Sequence, residues 1–361
     1  MDKKIYEYLL IPFAGVYGGV IFLRNKLFDW QIIHSNEYNI PVISVGNITV
    51  GGTGKTPHVE YLVRLLKDQY KIAVLSRGYK RNTKGFFLAS ENSSPDEIGD
   101  ESCQLKRKFP GIFVAVDEKR RRGIDNLMKL NPGPDVIILD DAFQHRYVNP
   151  GLNILLEDFN RPISNDHLLP FGRLREFYSA KKRANIILVT KSPSSMKAID
   201  MRIRARKADL HEFQHLYYTK IVAEEIQPLF TGNLGDIKNE KPGILLFSGI
   251  ANPRSLKPFV RKLSTRIHEL TYRDHHNYRE QDMQRLLDEF ENIEEKKKII
   301  LTTEKDSVKL LKFKDILRKV HDKIFYLPIR VEFLNDDQKN FNNQILNYVS
   351  SNKRDSILHK G

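Results

Sequence analysis

Short apolar runs alternate with segments of helical periodicity between residues 31 and 215. Continuous apolar runs are typical of strands that are buried on both faces of a parallel sheet. The helical segments between them are typical of connections that cover the two faces. The pattern therefore predicts an α/β fold with a mostly parallel sheet between two helical layers. The predicted strands are 41–45, 71–75, 111–116, 135–139, 152–156 and 185–190.

The pattern changes after residue 215, where residues 217–222 alternate between apolar and polar positions. A second run of this kind covers 323–332, and buried strands are predicted between the two runs at 243–247 and 298–302. We interpret the two alternating runs as a two-stranded β linker that carries the chain into and out of a second, smaller α/β/α domain. The predicted divisions are an N-terminal segment 1–30, a larger domain 31–215, linker strands 216–230 and 323–333, a smaller domain 231–322, and a C-terminal helix and tail 334–361.

Residues 9–23 form an uncharged apolar segment, LLIPFAGVYGGVIFL. A membrane-spanning helix needs about 20 apolar residues, and this segment is shorter and contains Pro12. Two interpretations are open: a helix buried in the core, or a segment lying in the membrane interface with Arg24, Lys26 and Trp30 at the headgroups. We favour the second, and we predict that residues 1–30 interact with a membrane.

The composition predicts an acidic partner, because the 361 residues carry a formal charge of +14. Runs of basic residues occur at 80–81, 106–108, 119–122 and 181–183, and together with the apolar N-terminus they favour an anionic membrane surface. Nucleic acid is not expected, since no helix-turn-helix, zinc or aromatic-stacking signature accompanies the runs. The single cysteine, Cys103, excludes an internal disulfide.

The segment SVGNITVGGTGKTP at 44–57 follows a predicted strand and precedes a helical pattern. Glycines at 51, 52 and 54 allow the backbone N–H groups to turn toward phosphate oxygens. Lys55 supplies a positive charge for the β- and γ-phosphates, and the Thr56 hydroxyl is a ligand for Mg²⁺. Thr49 stands where the strict phosphate-binding pattern has glycine. The segment predicts a nucleotide triphosphate site of the P-loop type.

A second candidate feature is the apolar strand that ends in Asp140 and Asp141. In P-loop proteins an aspartate at this strand end binds Mg²⁺ directly or through water. ATP is favoured over GTP, because the strand ending at Thr190-Lys191 is not followed by the carboxylate that reads guanine.

Two further groups are weak signals when taken alone. Asp100 and Glu101 stand at the start of a predicted helix, where acidic residues also simply stabilise the helix dipole. The Asp274-His275-His276 sequence suggests a proton relay more readily than a metal site, because no second His or Cys cluster has matching spacing.

The motifs taken together resemble the tetraacyldisaccharide 4′-kinase family of lipid A biosynthesis, in the same order along residues 1 to about 310. They are GN at 46–47, GGTGKTP at 51–57, LSRGY at 75–79, GDE at 99–101, LDDAFQH at 139–145, LLP at 168–170, GRLRE at 172–176, FSGI at 247–250, DHH at 274–276 and TEKD at 303–306.

The resemblance implies transfer of the γ-phosphate of ATP, with Mg²⁺, to the 4′-hydroxyl of a tetraacylated glucosamine disaccharide 1-phosphate. The implied place is the cytoplasmic face of the bacterial inner membrane, where the enzyme is peripheral or monotopic and needs no obligate protein partner. The implied fold has two α/β/α domains joined by a two-stranded β linker, the larger being a mostly parallel sheet of the P-loop NTPase type.

The resemblance also implies roles for individual residues. Asp100 deprotonates the sugar hydroxyl with the help of His275, His276 being the less favoured choice, and we expect the two to meet when the cleft between the domains closes. Ser102 and Phe177 stand where the family has proline, which affects the local geometry. The implied catalytic residues are Asp100, His275, Lys55, Asp140 and Asp141; the implied nucleotide-binding residues are Gly51, Gly52, Thr53, Gly54, Lys55 and Thr56; the implied metal ligands are Thr56, Asp140, Asp141 and Glu176.

Two alternatives from other functional classes stay open on sequence alone. One is a membrane-associated P-loop ATPase that positions a partner protein without lipid kinase activity. The other is a nucleotide-gated binding module with negligible turnover. Asp100 and the Asp-His-His motif favour the kinase, since neither alternative needs a base for an acceptor hydroxyl.

Overall fold

Two β-sheets, each covered by helices on both faces, organise the protein. The computed structural model describes residues 8–232 and 241–358, with side chains described to residue 352. The start of the predicted N-terminal segment (1–7), a part of the predicted smaller domain (233–240) and the end of the predicted tail (359–361) lie outside the described residues. The α/β fold predicted from the hydrophobic pattern is confirmed.

The described residues form fourteen β-strands and ten α-helices. The strands are β1 Val42–Gly46, β2 Ile72–Ser76, β3 Phe87–Leu88, β4 Phe113–Val116, β5 Val136–Asp140, β6 Leu152–Asp158, β7 Ile186–Thr190, β8 His215–Ala223, β9 Gln227–Pro228, β10 Gly243–Ser248, β11 Ile267–Thr271, β12 Lys298–Thr303, β13 Ile324–Leu327 and β14 Ile329–Phe333. The α-helices are α1 Ile11–Asp29, α2 Lys55–Leu66, α3 Pro95–Ile98, α4 Asp100–Lys108, α5 Arg120–Met128, α6 Ala198–Lys207, α7 Lys257–Leu263, α8 Glu280–Glu291, α9 Glu304–Leu310 and α10 Asp337–Leu358. Short 3₁₀ helices cover Ile163–Asn165, Tyr178–Arg183, Pro253–Leu256, Leu311–Phe313 and Arg318–Lys323.

The larger sheet contains nine strands within the described residues, in the order β14-β8-β7-β6-β1-β5-β2-β4-β3. Its pairings from β8 across to β4 are parallel, and the edge pairs β14–β8 and β3–β4 are antiparallel. Val45 of β1 stands beside Asp140 of β5 in the register. The loops that follow these two strands therefore start side by side at the carboxyl edge of the sheet, where ligands bind in open α/β folds.

Strand β5 shows how the alternation of side chains builds two cores. Val136 and Ile138 pack with residues of α2, α4 and α10 on one face. Ile137 and Leu139 pack with residues of α5 on the opposite face. Because both faces are covered, β5 is buried along its whole length, which explains why such strands read as continuous apolar runs.

The smaller sheet contains five strands in the described part of the chain, in the order β11-β10-β12-β13-β9. Leu245 and Phe247 of β10 pack with α8, while Ile244 and Leu246 pack with α7 on the other face. The sequence did not predict β11, which is an edge strand. Most of its side chains are exposed or half-buried, so it carries no apolar run.

A ribbon of two chain segments connects the sheets. β8 pairs with β14 in the larger sheet, and β9 pairs with β13 in the smaller one. The run 323–332, which was expected to be one strand, is divided at Pro328, because proline has no N–H to donate to a ladder. The Pro328 carbonyl accepts a hydrogen bond from the Glu224 N–H at 2.9 Å. Each linker segment is thus shared between both sheets, and the domain boundaries given above stay a prediction.

Helix α1 lies on the surface of the larger domain. The Tyr17 hydroxyl donates to the Arg175 carbonyl at 2.9 Å, and Gly18 lies against Leu168 and Phe177, where a Cβ would be 2.9 and 3.2 Å from their side chains. The interpretation of residues 9–23 as a core helix is wrong, because much of their apolar surface is exposed. The described residues contain no helix long and apolar enough to cross a bilayer. The exposed fractions are 72% for Leu9, 65% for Phe13, 72% for Val16, 62% for Val20 and 57% for Leu23.

Candidate active site

The loop between β1 and α2 has the geometry of a phosphate cradle. Gly51 and Gly54 have φ angles of 106° and 89°, in the left-handed region that residues with a Cβ rarely adopt. Helix α2 begins directly after Gly54, with Lys55 and Thr56 as its first residues. Its free backbone N–H groups and the positive end of its dipole therefore face the loop.

Side chains from three neighbouring segments hold this loop in place. The Asn47 side-chain amide donates to the Thr53 hydroxyl at 2.7 Å, and the Gln144 amide donates to the Asn47 carbonyl at 2.6 Å. From β7, the Thr190 hydroxyl donates to the Thr53 carbonyl at 2.8 Å. This role of Asn47 and Thr190 was not predictable from the sequence, because their contacts depend on the order of strands in the sheet.

Lys55 faces the end of β5, as the P-loop pattern predicts. Its ammonium lies 3.6 Å from a carboxylate oxygen of Asp141, and the Arg175 guanidinium lies 3.2 Å from the same oxygen. Burial raises the pKa of Asp141, but Lys55 and Arg175 outweigh it and hold this pKa below its usual range. Asp141 is therefore ionised at neutral pH. Arg175 was not among the predicted site residues, although it stands next to Glu176.

Asp140 occupies a different environment from its neighbour. Its residue is 7% exposed, and its Oδ1 has no hydrogen-bond partner among the described residues. Burial, Glu101 and Asp141 all raise the pKa of Asp140. The buried Arg120 donates to the Asp140 carbonyl at 3.0 Å and to the Asp117 carbonyl at 2.6 Å, which fixes the strand end.

The residues at this strand end fit a Mg²⁺ ion. A buried carboxylate oxygen without a partner is costly unless a cation or a donor satisfies it, and Asp140 Oδ1 is such an atom. Thr56 and Asp141 supply further oxygen atoms of the hard type that Mg²⁺ prefers. Within the described residues no group of three or more His, Cys, Asp or Glu side chains forms a ready metal cage. Mg²⁺ is usually held by one or two carboxylates together with phosphate oxygens.

Glu176 is placed differently from the other three predicted metal ligands. Its side chain is fully buried, and one carboxylate oxygen lies 2.5 Å from the Arg183 guanidinium. The other oxygen has no hydrogen-bond partner in the part of the chain that is described. Glu176 as a metal ligand stays a prediction, and its observed contact holds the segment beneath helix α1.

Asp100 meets His275 across the two sheets, although 175 positions separate them in the sequence. Asp100 begins helix α4, and its Oδ2 lies 3.2 Å from Nδ1 of His275 and 3.1 Å from the Lys309 ammonium. Burial raises the pKa of Asp100, but the hydrogen bonds from His275 and Lys309 outweigh it and lower this pKa. The two residues are in contact in this structure, and their dependence on cleft closure stays a prediction. Both residues line a cavity of about 1050 Å³.

His276 has a different partner from His275. Its Nε2 lies 3.0 Å from a carboxylate oxygen of Asp282 at the start of α8. The contacts therefore distinguish the two histidines. His275 pairs with Asp100, and His276 pairs with Asp282 within the smaller domain.

The basic runs are less available to a partner than the sequence suggested. Arg81 pairs with Glu118, Lys108 with Glu60 and Glu304, Arg122 with Asp117, and Arg183 with Glu176. Several members of the runs therefore pair with carboxylates within the protein, and contact of the runs with an anionic surface stays a prediction.

A buried histidine connects the loop to the larger sheet and makes stability depend on pH. His58 Nδ1 donates to the Gly54 carbonyl at 2.7 Å, and Nε2 accepts from the Thr219 hydroxyl at 3.0 Å. Burial lowers the pKa of His58 to about 4, against the opposing effect of the Gly54 hydrogen bond. Between about pH 6.5 and 4 the unfolded chain binds a proton that the folded chain does not, so stability decreases as the pH falls through this range.

We expect His58 to contribute about 3 kcal/mol to this decrease, at about 1.4 kcal/mol per pKa unit. The measurement is urea unfolding at pH 7 and pH 4.5 for the wild type and for His58→Gln. Because Glu60, whose pKa burial raises to about 7, acts in the opposite direction, the result to compare is the difference between the two proteins. Equal pH dependence in both would contradict the prediction.

Comparisons with known proteins agree with the geometry. The sequence pattern of the tetraacyldisaccharide-1-P 4′-kinase family, LpxK, matches residues 6–350. A tetraacyldisaccharide 4′-kinase of Phocaeicola vulgatus is 49% identical over 353 residues, which cover 96% of this chain and 96% of the relative. One of Bacteroides thetaiotaomicron is 43% identical and covers 98% of this chain and 96% of the relative.

A solved structure has the same fold along nearly the whole chain. It is LpxK from Aquifex aeolicus, described as an "apo" form in complex with ATP, and it superposes with a TM-score of 0.74 at 29% identity over 96% of this chain and 99% of that one. With the P-loop, the paired strand ends and these relatives in agreement, the chain belongs to the tetraacyldisaccharide-1-P 4′-kinase family.

Proposed function

We propose that the protein transfers the γ-phosphate of ATP to the 4′-hydroxyl of a tetraacylated glucosamine disaccharide 1-phosphate. The observation that carries this proposal is the Asp100–His275 pair beside the P-loop site. The Ser102 hydroxyl in the first turn of α4 lies 2.7 Å from the Ser76 hydroxyl at the end of β2, the strand that pairs with β5. The start of α4 therefore lies at the same edge of the sheet as Asp140. A nucleotide switch or a partner-positioning ATPase has no use for a carboxylate at this place, and family membership favours the kinase over both.

Lys55 and Arg175 supply the positive charge for the transfer. Phosphoryl transfer depends mainly on positioning and on neutralising the charge of the transferred group. The Gly51–Gly54 backbone and the first turn of α2 orient the phosphates, and Asp141 keeps both cations directed at the strand end. When bound, Mg²⁺ would neutralise phosphate oxygens, with Asp140, Asp141 and Thr56 to hold it and Glu176 as the weaker candidate.

Asp100 accepts the proton of the sugar hydroxyl. A general base must be ionised at the working pH and must lie within reach of the hydroxyl. The lowered pKa of Asp100 meets the first condition. Its place on a cavity of about 1050 Å³ gives access to an acceptor that enters between the two sheets.

We propose that the protein acts at the cytoplasmic face of the inner membrane and that helix α1 attaches it there. Its docked residues attach it to the segment 168–177, and its exposed apolar side chains are free to enter the lipid interface. The anionic surface adds attraction for the basic residues that lack internal partners. The substrate then keeps its acyl chains in the lipid while its sugar enters the cavity. No protein partner is required in this scheme.

The membrane role of α1 is tested with Phe13, Val16 and Val20 replaced together by serine. We expect affinity for anionic vesicles to fall about tenfold or more per residue, since full burial of such a side chain contributes about 1.5–3 kcal/mol. The remaining binding should weaken as salt rises. The measurement is vesicle flotation at low and high salt.

A matched control is Ile199→Ser with Ile203→Ser, which removes exposed apolar side chains from α6. This control should float like the wild type. Equal flotation of the α1 variant and the wild type would contradict the role of α1.

The function itself is tested by incubating purified protein with γ-³²P-labelled ATP, Mg²⁺ and the disaccharide 1-phosphate in detergent micelles. We expect a labelled lipid that carries the new phosphate at the 4′ position. Hydrolysis of ATP without any labelled lipid would support the ATPase alternative instead.

A further inference from the structure

Two lysines of helix α9 reach the Asp100–His275 pair from the smaller domain. The Lys305 ammonium lies 2.9 Å from Nε2 of His275, and the Lys309 ammonium lies 3.1 Å from Oδ2 of Asp100. The two are four positions apart in one helix, so they lie on the same face. Both are largely buried, with side chains 16% and 9% exposed. No role for either lysine was predicted from the sequence.

The Lys305 contact determines which nitrogen of His275 carries the proton. An ammonium group can only donate hydrogen bonds, so Nε2 of His275 must accept. A neutral imidazole that accepts at Nε2 carries its proton on Nδ1. Nδ1 is the nitrogen that faces Asp100 at 3.2 Å. The ring therefore donates to the carboxylate.

The two donors leave one carboxylate oxygen of Asp100 for the reaction. His275 and Lys309 both contact Oδ2. Among the described residues, Oδ1 of Asp100 has no hydrogen bond. Oδ2 is thus the held oxygen, and Oδ1 is the oxygen that can receive the hydroxyl proton.

The ring of His275 is also held from the larger domain. Its backbone has a φ of 55°, an uncommon conformation that persists when the surroundings enforce it. The Lys80 ammonium donates to the His275 carbonyl at 3.1 Å, and the Tyr79 ring packs edge-on against the imidazole at 5.0 Å.

Two acidic groups also lie near the ring and near Lys305. Asp274 lies 3.9 Å from Nε2, and Glu101 lies 3.7 Å from the Lys305 ammonium. Asp100 and Asp274 can only accept hydrogen bonds, whereas the Lys305 ammonium can only donate one to Nε2. Lys305 is the group that opposes a proton on Nε2.

We propose that Lys305 is a positioning residue that keeps the His275 proton on Nδ1 and off Nε2, so that a neutral imidazole holds Asp100. This rests on the proposed function, in which Asp100 is the base. If Nε2 also carried a proton, the resulting imidazolium would bind the carboxylate more strongly and weaken it as a base.

The test compares Lys305→Met with Lys305→Arg in the full chain. In Lys305→Met we expect kcat to fall about 10–100-fold, the range found for the outer partners of metal-bound histidines, while KM for ATP is unchanged. Lys305→Arg, which also only donates, should restore part of the loss. In the background of His275→Gln, adding Lys305→Met should lower kcat no further, because residues acting as one unit are non-additive.

A spectroscopic measurement separates this role from a structural one. Long-range ¹H–¹⁵N spectra of histidine-labelled protein report the protonation of each ring nitrogen, and His275→Gln identifies the His275 signals. The wild type should show a bare Nε2, and Lys305→Met should show a protonated one. Lys257→Met is the control, because Lys257 also pairs with a carboxylate, Glu269 at 2.7 Å, but is not among the residues that line the cavity.

The outcomes distinguish this inference from the proposed function. Wild-type kcat in Lys305→Met overturns the inference, and so does a lower kcat in which Nε2 still carries no proton. If Asp100→Ala is inactive in the same experiments, the assignment of Asp100 as the base is retained. Wild-type kcat in Asp100→Ala itself overturns the assignment of the base, and with it the function proposed for the pair.

Discussion

Replacing Asp100 with alanine should lower kcat by about 10²–10⁴-fold, the usual cost of losing a general base. KM for ATP should change little, because the contacts of Asp100 are with His275 and Lys309 rather than with the P-loop. The measurement is steady-state kinetics of lipid phosphorylation at saturating ATP. Asp100→Asn should be nearly as slow, since the amide keeps the shape and loses the basic oxygen.

The matched control for this substitution is Asp288→Asn. Asp288 lies on helix α8, accepts a hydrogen bond from the Gln284 amide at 2.9 Å, and is not among the residues that line the cavity. It should keep wild-type kinetics. His275→Ala should resemble Asp100→Ala, and the double variant should be little slower than the worse single one. Fully multiplicative losses would show that the two residues act independently.

Replacing Lys55 with alanine should lower kcat by about 10²–10³-fold, as the loss of one preorganised electrostatic contact does elsewhere. The fold should persist, because Asp141 retains its contact with Arg175 at 3.2 Å. The measurement combines lipid phosphorylation with thermal unfolding of the same preparation. Lys67→Ala, which removes a lysine at the other end of α2 that pairs with Asp68, should behave as the wild type.

A folded Lys55→Ala protein with wild-type turnover would show that the loop does not hold the phosphates. If Lys55→Ala did not fold, the cause would be the lost packing of the side chain, because Asp141 keeps Arg175 as a partner. Lys55→Met, which keeps most of the side-chain volume, would then replace it in the test.

Local sequence was sufficient where the structure depends on local backbone preferences. The strands predicted at 41–45, 135–139 and 185–190 lie within one or two residues of β1, β5 and β7, because a strand buried on both faces must be apolar throughout. The phosphate loop was equally readable, since its glycines are required by positive φ at Gly51 and Gly54. The family and the α/β fold followed from the motifs and are confirmed.

Elements whose side chains are mostly exposed were not predicted, because they contain no continuous apolar run. β11 is an edge strand with one buried side chain, so it has no apolar run to recognise. The division of the second linker run was overlooked as well, because the apolar alternation continues through Pro328 while the hydrogen-bond ladder does not.

What the sequence determined by itself was the order of the strands along the chain, the phosphate loop and the types of residue available for catalysis. Only the tertiary structure decided which of these residues meet. His275 rather than His276 contacts Asp100 because the packing of α4 against α9 fixes the spacing between the two domains and Asp282 occupies His276. The same packing brings Lys305 and Lys309 to the pair. The exposure of one face of α1 likewise became visible only in the folded protein. Contacts between side chains more than a hundred residues apart depend on how whole layers of helices and strands pack. The local periodicity of the sequence does not determine that packing.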